Sequence, residues 1–166
     1  MRTIRALRRA AALAVVCAAP MSPCAAGAQL DAAAASKIVE GCAAHARGRS
    51  QSHAIAVYDD GGHPVALLRM DGNAPGITEF AMQKADAVAH WRFSTADMAE
   101  AARGTPGFAS APHVVTVPGG IPVYSADGGR FLGAVGVSGE APADDAACAE
   151  AGVKAAGLAT TRRRTG

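Results

Sequence analysis

The chain has 166 residues, enough for one domain with a real core and too few for two. Half of it is apolar but only 4% is aromatic, so packing must rely on close approach of Ala- and Gly-rich elements. Lys+Arg number 16 against 14 Asp+Glu, and setting aside four N-terminal arginines leaves 12 against 14. That mildly acidic body argues against nucleic acid as a partner, since phosphate binding needs a concentrated basic face.

Residues 1–28 read as a secretory leader. Arg2, Arg5, Arg8 and Arg9 form a positive start, residues 10–19 a short apolar run, and Pro20 breaks it. Ala26-Gly27-Ala28 supplies small residues for cleavage before Gln29. Met21-Ser22-Pro23 before Cys24 is a poor lipobox. Arg8-Arg9 is a twin arginine, but the apolar run follows at once, which favours the general secretory route. The expected destination is periplasmic or secreted, and no later stretch is apolar enough to span a bilayer.

The expected domain covers 29–160. Residues 30–47 read as a helix, with Leu30, Ala34, Ile38 and Cys42 on one stripe and Gly48 after it. Residues 53–59 and 64–69 are apolar runs around Asp60-Gly61-Gly62, the pattern of a hairpin. A loop of turn formers, 71–76, leads to a helix over 77–91, on which Ile77, Phe80, Ala81, Lys84, Ala85, Val88 and Trp91 share a face. Ser94 caps a shorter helix over 95–103, and 104–112 is a Gly/Pro/Ala loop. Three strands are expected next, over 113–117, 121–125 and 130–137. A helix over 143–159 follows, with Ala147, Ala151 and Ala155 in a row beside Cys148 and Gly152. Residues 161–166 form a basic C-terminal tail holding Arg162, Arg163 and Arg164. Hairpin-connected strands imply an α+β domain with a five-stranded antiparallel sheet and the two terminal helices on one face.

Several residues carry chemistry. Arg69-Met70-Asp71-Gly72 places a guanidinium and a carboxylate at a strand exit. Arg69 suits a carboxylate or propionate; alternatively Arg69 and Asp71 simply pin the loop. Met70 is an axial-ligand residue type or an apolar packing residue. Lys84 lies on an apolar stripe and needs a partner, with Asp71 or a ligand carboxylate as the choices. His90 sits on the polar stripe with Glu79, Gln83 and Asp86, as a surface histidine or a haem ligand. His113 starts the third expected strand, and His45, His53 and His63 are also available. Gly133 to Gly139 contains no phosphate-binding Gly-Lys-Ser/Thr and no nucleophile elbow. Beyond the leader, Cys42 and Cys148 remain, each in an expected helix, and form either a disulfide or two buried thiols.

The strand-turn AVYDDGGHPVAL, then LRMDG, QKADAVAHW with the FST after it, PGGIPV, LGAVGVSG and DDAACAEAG occur in an order and spacing that resemble the GlcG/HbpS family, from about Leu30 to Leu158. The resemblance implies a profilin-like α/β sandwich, assembly into dimers or larger oligomers, and haem or tetrapyrrole binding. Other members sit beside glycolate or diol metabolism. Where the family's main helix often reads KAxTA, this chain reads Lys84-Ala85-Asp86-Ala87, so a Thr is missing and Asp86 is new. On this reading Arg69 and Lys84 meet anionic groups, and His90 or His113 approaches haem iron. The alternatives are an enzyme or accessory protein binding a small organic acid through Arg69, Asp71 and Lys84, and a ligand-free structural oligomer. No nucleophile–base pair marks the chain as an enzyme.

Overall fold

The computed structural model describes residues 30–163. The leader, its cleavage point before Gln29, and Arg164 lie outside those residues. Helix α1 (Ala32–Arg47) starts at Asp31, whose carboxylate accepts from the Ala34 amide at 2.7 Å, and stops at Gly48. Strands β1 (Ala54–Asp59) and β2 (Pro64–Arg69) form the hairpin, with Gly62 at φ +81° in the turn. Helix α2 (Pro75–Trp91) begins with a proline, where a missing amide is harmless, and ends as Arg92 turns left-handed at φ 61°. Helix α3 (Thr95–Gly104) is capped by Ser94, whose hydroxyl accepts from the Asp97 amide at 3.1 Å. A single 3₁₀ turn (Phe108–Ser110) precedes β3 (Gly120–Tyr124), β4 (Phe131–Ser138) and α4 (Pro142–Ala155).

The sheet has four strands, all antiparallel, in the order β2-β1-β4-β3. The fifth expected strand, 113–117, is irregular chain. Its β-branched residues read as a strand, but His113 holds φ 57° and prolines stand at 112 and 118. A left-handed residue breaks extended backbone, and proline donates nothing to a ladder. Val114 and Val115 pack on the core instead of pairing.

Helices cover both faces. On one face α1 and α4 lie side by side over Ile55, Val57, Val123, Val135 and Val137. Each fully buried aliphatic there contributes about 1.5–3 kcal/mol. The buried row of α4 is Asp145, Cys148, Ala149, Gly152 and Val153, whereas Ala147 is exposed. The helices approach closely because Gly41 faces Ala155 and Gly152; a Cβ on Gly41 would fall 2.5 Å from that of Ala155. Cys42 and Cys148 meet there, with sulfurs 2.05 Å apart and Cα atoms 4.7 Å apart.

The opposite face of the sheet is made mostly of small residues, with Tyr58 as a large exception. Ala54, Ala56, Ala134 and Gly136 receive Ala81 and Ala85 of α2. A Cβ on Gly136 would collide with the Ala81 carbonyl and the Ala85 amide. This close seating fixes where both ends of α2 fall.

Candidate functional site

The last two turns of α2 carry Asp86 and His90 on one face, at i, i+4 spacing. The 111–119 loop brings His113 over them. Trp91 anchors that loop by donating its Nε1–H to the Pro112 carbonyl at 3.0 Å. His113 Nδ1 lies 2.6 Å from Asp86 Oδ2. His90 Nδ1 lies 2.9 Å from the Asp86 main-chain carbonyl and 3.3 Å from Asp86 Oδ1. The two imidazoles stack, with centroids 3.8 Å apart and planes 8° apart. In the neutral ring, an Nδ1–H donated to Asp86 leaves the Nε2 lone pair free. Both rings are about half exposed. Tyr58 lies nearby, its phenol pushed up by burial and then by the Asp86 charge.

Beside His90 the surface dips between the hairpin turn and the helix end, lined by Asp60, Gly61, Gly62, Ala89, His90 and Arg92. Asp60 and Arg92 also line a larger hollow of about 790 Å³, bounded by Trp91, Tyr124, Phe131, Arg130 and Arg162. The Arg92 guanidinium sits 5.2 Å from the Phe131 ring centroid. Tyr124 donates its hydroxyl to the Arg92 carbonyl at 3.1 Å, which steadies the left-handed turn. His90, His113, Arg92, Arg130 and Arg162 thus gather at one end of the molecule with Trp91, Tyr124, Phe131 and the carboxylates of Asp60 and Asp86.

Lys84 lies elsewhere. It is fully buried under the sheet and donates to the Val137 carbonyl at 2.8 Å and to Asp145 Oδ2 at 2.9 Å. Its partner is Asp145 of α4, not Asp71. Burial lowers the Lys84 ammonium, and the Asp145 carboxylate opposes that by hydrogen bond and charge. Asp145 Oδ1 also faces His53 Nδ1 at 3.1 Å and accepts the Glu140 amide at 3.1 Å. The network is sealed from solvent, with side-chain exposures of 0–3%.

Arg69, Met70 and Asp71 occupy the opposite end of the sheet, with Arg47, Ser52 and Leu68 around a hollow of about 430 Å³. Arg69 forms no ion pair with Asp71 among the described residues; the Asp71 carbonyl accepts the Ser52 hydroxyl at 2.7 Å. The 17 residues of α2, roughly 25 Å of helix at about 1.5 Å per residue, separate this corner from the histidine end. The residues expected to share one ligand therefore divide among three places: Arg69, Met70 and Asp71 at one end, Lys84 in the interior, and His90 with His113 at the other end.

Sequence reasoning passed over Arg92, Arg130, Phe131 and Arg162 as site residues. No local spacing joins them; they meet because the C-terminal segment returns to the sheet, where Ala159 pairs with Tyr124 at the β3 edge. The Asp86–His90 spacing was visible, but the arrival of His113 depends on the left-handed loop.

Among the described residues, no helix is long and apolar enough to cross a membrane. Fold and site together describe a small α+β domain with an accessible imidazole-bearing corner. The chain belongs to the HbpS-like family: residues 30–154 match the model described as "Haem degrading protein HbpS-like". It is 39% identical to Protein GlcG of Escherichia coli K12 over 105 residues, covering 63% of this chain and 77% of that protein. The crystal structure of a PduOC–haem complex superposes with a TM-score of 0.74 at 20% identity, covering 81% of this chain and all of that one. A double mutant of Streptomyces reticuli HbpS superposes with a TM-score of 0.70 at 25% identity, covering 89% of this chain and 97% of that one.

Proposed function

We propose that the protein is an exported, self-associating binding protein for haem or a related tetrapyrrole, which seats at the C-terminal end of α2. The observation that carries this reading is that His90 lines a small hollow sharing Asp60 and Arg92 with the larger, arginine-lined one. A haem-type ligand needs flat apolar walls, cations for its propionates and an imidazole for its iron. Trp91 and Phe131 supply apolar edges to a largely polar hollow, and Arg92, Arg130 and Arg162 the cations, with the Asp60 carboxylate among them. His90 supplies the imidazole, with its Nδ1–H held by the Asp86 main-chain carbonyl; His113 is the alternative. The hollow of about 790 Å³ falls within the roughly 300–1,000 Å³ of small-molecule sites. The residues present therefore fit the group, whose iron would supply redox and ligand-exchange chemistry when bound.

The family's description and the haem complex of PduOC support the same reading. Export draws support from the leader pattern of residues 1–28 and from the Cys42–Cys148 bridge, since disulfides persist in oxidising compartments. Self-association draws support from β2, an edge strand that leaves Leu67 51% exposed. Light scattering of the purified protein tests it, and a monomer at all concentrations rejects that part.

A hemin titration followed by absorbance tests the ligand. A saturable, shifted Soret band is expected at one haem per chain or per dimer, lost in His90→Ala. Arg92→Ala with Arg130→Ala should weaken binding about tenfold or more, the scale of lost charge-assisted hydrogen bonds. A wild-type spectrum identical to free hemin rejects the reading.

A further inference from the structure

We infer that Asp86, His90 and His113 bind a bare divalent transition-metal ion, such as Zn²⁺ or Co²⁺, through the ring nitrogens that face the carboxylate. This does not rest on the tetrapyrrole reading, because the two use different nitrogens: Nδ1 for the ion and Nε2 for haem iron.

One ligand atom from each residue lies within 4.8 Å of the other two. His113 Nδ1 is 2.6 Å from Asp86 Oδ2, and His90 Nδ1 is 3.3 Å from Asp86 Oδ1. Two ligands of one ion, each about 2.0–2.2 Å from it, sit about 3 Å apart. The three ligand atoms are close enough to converge on one ion, which would replace the Nδ1 proton of each ring, including the one His90 shares with the Asp86 main-chain carbonyl. Two imidazoles and a carboxylate suit Zn²⁺, Co²⁺ or Fe²⁺, whereas Ca²⁺ and Mg²⁺ select all-oxygen sites. Three protein ligands make an open site rather than a closed structural one. Asp86 also borders a groove of about 290 Å³ with Tyr58, Glu79, Met82 and Gln83.

The backbone supplies a second argument. His113 holds a left-handed conformation, φ 57°, that costs a non-glycine residue free energy. What that conformation achieves is the meeting of its imidazole with Asp86. The stacked rings, 8° apart, cannot both hold one ion in plane. Binding therefore turns the half-exposed His113 ring out of the stack.

The test is calorimetric titration of the haem-free protein with Zn²⁺, after alkylation of free thiols, and an absorption titration with Co²⁺. The expected result is one ion per chain in both. His113→Ala and Asp86→Asn should each weaken binding at least about tenfold, with circular dichroism confirming the fold. His63→Ala, at the exposed His63–Asp59 pair, should change nothing. Binding that survives both site variants, or that follows His63, overturns the proposal. So does the absence of Zn²⁺ and Co²⁺ binding from a wild-type protein that still binds hemin. Ion binding at the three residues in a protein that ignores hemin sustains it and sinks the tetrapyrrole reading alone.

Discussion

Lys84 Nζ lies 2.9 Å from Asp145 Oδ2, joining α2 to α4 across 61 positions of sequence in a place solvent does not reach. A buried pair of this kind is costly to break, because the survivor keeps its charge without its partner. Lys84→Met should therefore destabilise by about 3–5 kcal/mol in urea unfolding. Adding Asp145→Leu should recover part of that loss, leaving the His53 Nδ1–H and the Glu140 amide without their acceptor and the Val137 carbonyl without the lysine donor. A single variant within about 1 kcal/mol of wild type contradicts the buried pair.

The bridge between Cys42 and Cys148 closes a loop of 106 residues. In the chain-entropy account, a loop near that length removes about 4.7 kcal/mol of unfolded-state freedom. Cys42→Ala with Cys148→Ala should thus lower the melting temperature of the oxidised protein sharply. Reductant should do the same to wild type and nothing to the double variant. Intact mass under non-reducing conditions checks the bond directly, and alkylation of both cysteines without reductant rules it out.

Two glycines should respond oppositely to alanine. At Gly136 the added methyl meets the Ala81 carbonyl and Ala85 amide, so α2 must lift and stability should fall by about 1–3 kcal/mol. At Gly76, in the first turn of α2, nothing lies within 4 Å, and alanine should be neutral or stabilise by up to about 1 kcal/mol. Thermal melts of the two variants decide, and equal effects would remove the argument for close seating.

Asp59 gives a pH prediction. Burial pushes its carboxyl up, but amide bonds from His63 and Gly61 and the His63 ring outweigh that and hold it below the usual 3.8. A carboxyl lowered in the folded state contributes stability that is complete above its unfolded value and fades as the pH falls through its folded value. Wild type should therefore exceed Asp59→Asn in stability at neutral pH, with the gap shrinking as the pH drops below 3.8. A gap that widens in acid would reverse the assignment.

Much of the architecture was legible because it is written in local periodicity. The hairpin around Asp60-Gly61-Gly62, the α2 stripe and the Ser94 cap are short-range patterns, and each element forms where its pattern lies. The 113–117 segment misleads because Val114, Val115 and Val117 have strand propensity, while its fate is set by the prolines around it and by a helix face waiting for apolar cover. Lys84 was rightly read as needing a partner. Asp71 was the nearer choice in sequence, but Asp145 is brought over it by the packing of α4, which no spacing in the chain encodes. The histidine corner was half legible: Asp86 and His90 share a helical face, and His113 joins them through the fold alone.

The position of Lys84 near the middle of α2 has a mechanical consequence. Its bonds to β4 and α4 hold the helix along its own axis, as a pin holds a bolt in its bore. Slipping by one turn, about 5.4 Å, would break both bonds. Signals cannot pass between the Arg69 corner and the His90 corner by sliding this helix.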